Sequence, residues 1–161
     1  MNTSIQKKVV ALLTEQGKKL ALAESCTGGR IASLITDVPG ASSVFTHGYV
    51  TYANEAKHDM LGVPEALLET HGAVSEEVAI AMAEGALKNS GADIAVSVTG
   101  IAGPSGGSEA KPVGTVWIGL ATAEKSFAMR KNHPHGREHF KQATSRDALD
   151  LVVKGLRPSS V

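Results

Sequence analysis

Apolar residues recur along this chain at two spacings, and the alternation between them predicts strands and helices in turn. Short, nearly continuous apolar runs at Ala21–Ala23 and Ile94–Val98 are typical of buried strands. The β-branched and aromatic stretch Val44–Ala53 predicts a third strand, and Val113–Ala121 with Lys125–Arg130 predict an antiparallel pair. Helical spacing predicts the remaining elements: 4–16, a helix from the turn at residue 25 to about residue 36, 54–61, a short helix after Pro64, 75–89 and a last helix beyond Gly136.

Local signals refine several of these boundaries. Thr3 and Gln6 have the spacing of a capping box, and Asn54 and Ser75 are typical N-caps. Gly48 interrupts its strand, which predicts a bulge or a close backbone approach. The final helix carries one apolar face, formed by Phe140, Thr144, Ala148, Leu151 and Val152, and residues 157–161 are expected to form a frayed tail.

The order of elements predicts an α/β fold, a three-layer α/β/α sandwich around a mixed, mostly parallel sheet of about five strands. In such sheets ligands collect beyond the carboxyl ends of parallel strands, and Ser25 and Thr99 are two of those strand tips. Residues 101–112 contain nothing that holds a regular element. A loop of that length is usually functional or mobile.

Length and charge limit the possible functions. A chain of 161 residues has the size of one domain, and we expect a single domain over 1–161. Sixteen basic residues balance sixteen acidic ones, so no overall field attracts nucleic acid or a membrane surface. The one cysteine forms no internal disulfide, and the first residues lack the apolar core of a signal peptide. We therefore expect a cytoplasmic protein.

The turn Glu24–Arg30 is the first candidate for chemistry. In a strand, tight turn and helix, Ser25, Cys26 and Thr27 would lie where free backbone N–H groups favour negative charge. Ser25 or Cys26 would then be a nucleophile beside an anion site. The alternative is that Ser25 and Thr27 only cap the helix. Chemistry alone leaves the two nucleophiles unranked, because lone cysteines are often buried packing residues.

A serine nucleophile needs a base, and Lys57 is the interesting candidate. A lysine serves as a base when burial lowers its pKa, whereas a solvated lysine is the commoner fate. Spacing alone does not decide between them. His133 and His135 are close in sequence but have no further ligands at metal-binding spacing, so solvated loop histidines are favoured over a metal site. Neither phosphate-loop nor dinucleotide-binding glycine patterns are found.

Four blocks, in order, resemble the C-terminal domain of the CinA (competence/damage-inducible) family. They are Glu24–Gly29 (ESCTGG), Tyr52–Lys57 (YANEAK), Val98–Pro104 (VTGIAGP) and Lys111–Val116 (KPVGTV). The resemblance covers about residues 5–156. Members of the family that consist of this domain alone are known as nicotinamide-nucleotide amidohydrolases, and larger members also carry a molybdopterin-binding-like domain.

The resemblance implies hydrolysis of the carboxamide of nicotinamide mononucleotide to nicotinic acid mononucleotide and ammonia, with no metal or cofactor. Ser25 matches the family's nucleophile and Lys57 its general base, while Tyr52 and Thr99 match residues that support the dyad and the substrate. The family's Gly-Asp-Arg segment corresponds to Gly136-Arg137, which lacks the aspartate. The expected substrate-binding residues are Cys26, Thr27, Gly28, Gly29, Thr99, Gly100 and Arg137.

On this interpretation the backbone N–H groups from Cys26 to Gly28 would hold the oxyanion of the reaction. The partner is a small-molecule nucleotide, with no nucleic acid and no membrane, and base rates favour a homodimer. Two other hypotheses stay open. In the first, the domain is a nucleotide-binding or regulatory module without turnover. In the second, it is an interaction protein for DNA uptake or repair.

Overall fold

The computed structural model describes residues 3–158, which form six α-helices and five strands. The helices are α1 (Ile5–Gln16), α2 (Arg30–Thr36), α3 (Asn54–Leu61), α4 (Glu65–His71), α5 (Glu76–Ser90) and α6 (Arg137–Leu156). The strands are β1 (Leu20–Glu24), β2 (Phe45–Val50), β3 (Ile94–Gly100), β4 (Thr115–Thr122) and β5 (Ser126–Asn132). The order of strands and helices is the predicted one.

The five strands form one mixed sheet in the order β2-β1-β3-β4-β5. β1 pairs in parallel with β2 and β3, whereas β4 is antiparallel to both β3 and β5. Four strands therefore run in one direction and β4 runs against them. β1 and β3 are neighbours with the same direction, so Ser25 and Thr99 lie at the same edge of the sheet, as the sequence predicts.

Alternate residues of β1 enter two separate cores, because successive side chains of a strand point to opposite faces. Leu20 and Leu22 pack with α1, α2 and α6, whereas Ala21 and Ala23 pack with the helices α3 to α5. This confirms the three-layer α/β/α sandwich. The second face uses small side chains, and a Cβ on Gly119 would lie 2.5 Å from the Ala79 carbonyl oxygen, so α5 lies close against the sheet.

Two of the predicted helix caps are wrong. Ser4, not Thr3, is the N-cap of α1, and no side chain caps that helix. Ala53, not Asn54, is the N-cap of α3, since Asn54 already has helical geometry. The predicted cap at Ser75 is confirmed, because its side chain accepts a hydrogen bond from the Val78 N–H.

Strand β2 is shorter than predicted and its irregularity lies elsewhere. It ends at Val50 rather than near Tyr52, because the chain turns there to begin α3. The register against β1 shifts between the pairs Leu20–Phe45 and Ala21–His47, so the extra residue is Thr46 and not Gly48. Gly48 instead leaves room for the Phe45 ring, whose Cζ would lie 3.0 Å from an added Cβ.

The carboxyl-terminal half follows the prediction closely. β4 and β5 form the expected antiparallel pair, each displaced by one or two residues from the predicted bounds, and 101–112 contains neither helix nor strand. All five residues of the predicted α6 face are buried. Of the predicted tail, Arg157 and Pro158 lie beyond α6, while 159–161 lie outside the described residues. Within 3–158, no helix is both long and apolar enough to cross a membrane.

Candidate active site

Ser25 and Lys57 meet at the carboxyl edge of the sheet. Ser25 directly follows β1, and Lys57 lies on α3 with its side chain directed back over that strand end. The Lys57 Nζ donates a hydrogen bond to the Ser25 Oγ at 2.9 Å, across 32 residues of sequence. The structure therefore brings into contact the two side chains that the sequence chemistry identified only as separate candidates.

Lys57 is buried almost completely, with 1% of its surface exposed. Besides Ser25, its Nζ partners within residues 3–158 are two backbone acceptors, the Thr51 carbonyl at 2.9 Å and the Tyr52 carbonyl at 3.1 Å. Burial lowers the pKa of Lys57 from its usual 10.5, because the charged ammonium loses its hydration. The solvated-lysine alternative is therefore wrong, and the environment favours a neutral amine.

A small pocket of about 160 Å³ opens onto this pair. Its walls come from the ends of β1 and β3, the start of α3, the segment before α5 and the start of α6. The lining residues are Ser25, Cys26, Tyr52, Asn54, Lys57, Ala73, Val74, Thr99, Gly100, Ala102 and Arg137. Seven of the ten residues expected at the site from the sequence line this pocket: Ser25, Cys26, Tyr52, Lys57, Thr99, Gly100 and Arg137.

The Cys26 thiol differs from the Ser25 hydroxyl in what surrounds it. Cys26 packs in the larger apolar core and is nearly buried. Burial raises the pKa of Cys26 to about 12, with the nearby Lys57 acting in the opposite direction. Only the thiolate is a strong nucleophile, so this raised pKa disfavours Cys26 as the nucleophile. The environment thus ranks Ser25 above Cys26, which sequence chemistry alone did not.

The predicted anion site at the start of α2 is largely occupied by Glu24. The Glu24 Oε1 accepts hydrogen bonds from the Gly29 N–H at 3.2 Å and the Ile31 N–H at 3.0 Å, and Oε2 accepts from the Ala32 N–H at 2.9 Å. The capping alternative for Ser25 and Thr27 is wrong as well, because neither side chain caps α2. Glu24 performs that role for the helix.

Thr27, Gly28 and Gly29 therefore do not line the pocket. The Thr27 Oγ1 donates to Glu24 at 2.6 Å, and the Gly28 N–H donates to the Ser25 carbonyl at 3.1 Å. Gly28 is thus removed from the predicted set of oxyanion donors. Within residues 3–158, the backbone N–H groups of Cys26 and Thr27 have no hydrogen-bond acceptor, and of these two residues Cys26 lines the pocket.

Thr99 and Gly100 form the floor of the pocket at the end of β3. The Thr99 Oγ1 donates to the Ala73 carbonyl at 2.9 Å, which ties the segment before α5 to the sheet. A Cβ on Gly100 would lie 2.7 Å from the Phe140 Cζ and 2.8 Å from the Thr115 carbonyl oxygen. Glycine is therefore the residue that fits between α6 and β4 here.

Arg137 and Tyr52 form the rim. The Arg137 guanidinium donates to the Tyr52 hydroxyl at 2.9 Å through Nη2 and to the Gly103 carbonyl at 2.8 Å through Nη1. Tyr52 is 60% exposed, and it meets Lys57 through its backbone carbonyl rather than its phenol. Although the expected aspartate is absent before Arg137, the guanidinium still faces the pocket.

Sequence reasoning missed two polar residues at this site. Asn54, interpreted only as a helix cap, lines the pocket with its exposed side chain. Glu24, although part of the first family block, was given no role. The available signal was an acidic residue at the end of a strand that leads through a tight turn into a helix, since a carboxylate near a helix start accepts its free N–H groups.

His133 and His135 lie apart from the pocket. The His133 Nε2 is 2.6 Å from the Asp147 Oδ2, and His139 stacks edge-on against both rings. Among the described residues, no cluster of three His, Cys, Asp or Glu side chains has the arrangement of metal ligands.

The three-layer sandwich and the buried serine–lysine pair define an α/β protein with an enzyme-like pocket at its sheet edge. A family model described as CinA C-terminal domain matches residues 2–156, and the chain belongs to this family. Among curated relatives, the CinA-like protein of Akkermansia muciniphila is 57% identical over 161 residues, and that of Geotalea daltonii is 53% identical over 153 residues.

These relatives are longer proteins. The alignments cover 98% and 95% of this chain but only 38% and 37% of the two relatives, so the chain spans less than two fifths of their length. Solved structures match over nearly their whole length. The competence/damage inducible protein CihA from Agrobacterium tumefaciens is 41% identical with a TM-score of 0.90, and 96% of this chain and 98% of that chain are covered. A CinA superfamily protein from Klebsiella pneumoniae is 33% identical with a TM-score of 0.91, and the match covers 94% of this chain and 95% of that one.

Proposed function

We propose that this domain hydrolyses the carboxamide of nicotinamide mononucleotide, giving nicotinic acid mononucleotide and ammonia in pyridine-nucleotide salvage. The observation that carries the proposal is the 2.9 Å contact between the Lys57 Nζ and the Ser25 Oγ inside a small pocket. Membership of a family that includes such amidohydrolases supports the choice of substrate. In this proposal Ser25 is the nucleophile and Lys57 the general base.

The hydrogen bonds around Lys57 suit a base. A neutral amine has two N–H donors and one lone pair, and three partner atoms surround this nitrogen. When the two N–H groups donate to the Thr51 and Tyr52 carbonyls, the lone pair faces the Ser25 hydroxyl. Ser25 then donates its proton to Lys57 while its Oγ attacks the amide carbon.

The attack moves the carbonyl π electrons onto oxygen and creates a tetrahedral oxyanion. The free N–H group of Cys26, which lines the pocket, is the donor proposed for it, and such a donor typically contributes about 3–4 kcal/mol in other enzymes. Collapse of the intermediate breaks the C–N bond, and Lys57 returns the proton to the departing ammonia. Water, deprotonated by Lys57, then hydrolyses the ester on Ser25 and restores the hydroxyl.

The size of the pocket limits which part of a nucleotide enters it. Sites that enclose whole ligands usually have volumes of about 300–1,000 Å³, whereas this pocket has about 160 Å³. We assign it to the pyridine carboxamide, with ribose and phosphate at the rim. Arg137 lies at that rim, and Lys141 lies one helical turn further along α6, with its Nζ 3.9 Å from a Cβ built on Gly28. Both are candidates for the phosphate.

Ammonia release from purified protein and nicotinamide mononucleotide tests the proposal, with the pyridine product identified by mass. Ser25→Ala and Lys57→Ala are expected to abolish release, and Cys26→Ala is expected to retain most of it. Cys26→Ala is the matched control, because it removes the neighbouring potential nucleophile from the same turn. Loss of activity in Cys26→Ala alone would reject Ser25 as the nucleophile.

The same assay separates the remaining hypotheses. Binding of the nucleotide without any deamidated product would support a binding or regulatory module instead. Retention of DNA by the pure protein, decreasing with salt, would support the nucleic-acid alternative. We propose a small-molecule partner and a homodimer, and sedimentation of the pure protein measures the second property directly.

A further inference from the structure

The Glu24 carboxylate is buried beside the candidate nucleophile, with 1% of the residue exposed. Its two oxygens accept four hydrogen bonds, from the Thr27 hydroxyl and from the N–H groups of Gly29, Ile31 and Ala32. Buried carboxylates are costly unless such donors surround them. Here the donors all belong to the turn that follows Ser25 and to the first residues of α2.

The backbone of Glu24 is fixed to the other half of the pair. Its carbonyl accepts a hydrogen bond from the Thr51 N–H at 2.8 Å, and the Thr51 carbonyl in turn accepts one from the Lys57 Nζ at 2.9 Å. Glu24 thus connects both sides of the contact between Ser25 and Lys57. Its side chain holds the turn that carries Ser25, and its main chain holds the acceptor that directs Lys57.

Glu24 also determines which N–H groups remain free. By accepting from Gly29, Ile31 and Ala32, it occupies donors at the start of α2 that an anion would otherwise bind. The free donors are then those of Cys26 and Thr27, next to the Ser25 hydroxyl. Of these two residues Cys26 lines the pocket, so we expect an oxyanion to bind at its N–H group.

We propose that Glu24 is a positioning residue, which orients the Ser25 hydroxyl and the Cys26 N–H group toward the substrate. The inference rests on the proposed function, because it takes Ser25 as the nucleophile. A helix cap alone would contribute to folding only. A positioning residue also changes the rate of the chemical step in protein that is still folded.

Glu24→Gln is the sharp test, since it keeps the size of the side chain. The amide oxygen can replace Oε1 and keep its three hydrogen bonds. The amide nitrogen then replaces Oε2 and faces the Ala32 N–H, and because both groups are donors, no hydrogen bond forms between them. We expect kcat to fall at least tenfold with KM changed less than threefold.

Asp93→Asn is the matched control. Asp93 also accepts a backbone N–H, from Lys19 at 2.8 Å, but it lies at the opposite end of the sheet. Asp93→Asn therefore makes the same change from carboxylate to amide at a residue that has no link to Ser25. The kcat of this variant is expected to stay at the wild-type value. Thermal unfolding of both variants provides the folded fraction by which each rate is divided.

A fluorophosphonate that labels reactive serines makes the test independent of the substrate. We expect labelling of wild-type Ser25, none in Ser25→Ala, and labelling at least tenfold slower in Glu24→Gln than in Asp93→Asn. Equal labelling and equal kcat in these two variants would overturn the role of Glu24. If the wild-type protein is labelled but releases no ammonia, the nucleotide substrate alone is rejected. If the wild-type protein is not labelled at Ser25, both proposals are overturned.

Discussion

The Lys57 Nζ lies 2.9 Å from the Ser25 Oγ, and both residues are withdrawn from water. A lysine in this position is costly for folding, because its charge is desolvated with no acidic side chain bonded to its Nζ within residues 3–158. Its only other partners are two backbone carbonyls. Such a cost in a protein core indicates a role in chemistry, and several consequences can be measured.

Lys57→Met should separate activity from stability. Methionine fills a similar volume without the amine, so the variant is expected to fold with an unfolding temperature equal to or above that of the wild type. Loss of a general base typically lowers kcat by about 10²–10⁴. Lys57→Arg is expected to be equally inactive, because a guanidinium does not deprotonate. Ammonia release above a tenth of the wild-type rate in either variant would contradict the role of Lys57.

The lowered pKa of Lys57 predicts how activity depends on pH. The neutral amine is the active form, so kcat/KM should rise with pH and reach its midpoint below pH 10.5, the usual pKa of a lysine. A midpoint at or above pH 10.5 would mean that burial does not lower this pKa. Initial rates between pH 6 and about 11, in buffers of constant ionic strength, give the midpoint.

Stability should depend on pH through the same group. Between the lowered pKa of the folded state and 10.5, the unfolded chain binds the Lys57 proton and the folded chain does not, so the free energy of unfolding rises with pH across that range. Lys57→Met lacks this dependence. The difference in the free energy of unfolding between Lys57→Met and the wild type should therefore grow in favour of the variant as pH falls from 10.5, by at most about 1.4 kcal/mol per pH unit. Urea unfolding at several pH values measures the difference.

The sequence predicts the layers of the fold well, because the signals for strands and helices are local. Alternate residues of β1 enter opposite cores, and the Ser75 cap starts α5 where its side chain and the following glutamates place it. The helix caps at Thr3 and Asn54 are wrong by one residue, since neighbouring residues compete for such positions. The bulge at Thr46 depends on pairing with β1, which no local pattern encodes.

The site could be predicted in its residue types but not in its contacts. Ser25 and Lys57 are 32 residues apart, and only the packing of α3 over the end of β1 brings them together. The sequence did not indicate the role of Glu24, for a similar reason. Its partners, up to Ala32, become neighbours only once the turn has folded around the carboxylate. Family resemblance named the residues, and the contact with Lys57 that distinguishes Ser25 from Cys26 required the structure.

Arg137→Ala tests where the phosphate binds. The substitution removes a guanidinium at the rim, and a hydrogen bond to a charged group contributes about 1.5–3 kcal/mol, so KM for the mononucleotide should rise about tenfold or more with little change in kcat. Tyr52→Phe removes only the hydroxyl partner of Arg137 and should have a smaller effect. Arg146→Ala, an exposed arginine on the same helix, is the control. An unchanged KM in Arg137→Ala would place the phosphate elsewhere.

Gly100→Ala tests whether the floor of the pocket tolerates any side chain. The added Cβ would lie 2.8 Å from the Thr115 carbonyl oxygen, a backbone atom that has no room to move, and 2.7 Å from the Phe140 Cζ. Overpacking of this kind costs about 1–3 kcal/mol, which lowers the unfolding temperature by several degrees. Gly48→Ala is the matched control within a strand, because its closest contact at 3.0 Å is the far end of the Phe45 ring. We expect Gly48→Ala to unfold at nearly the wild-type temperature, and equal unfolding temperatures for the two variants would show that the pocket floor yields to the extra methyl group.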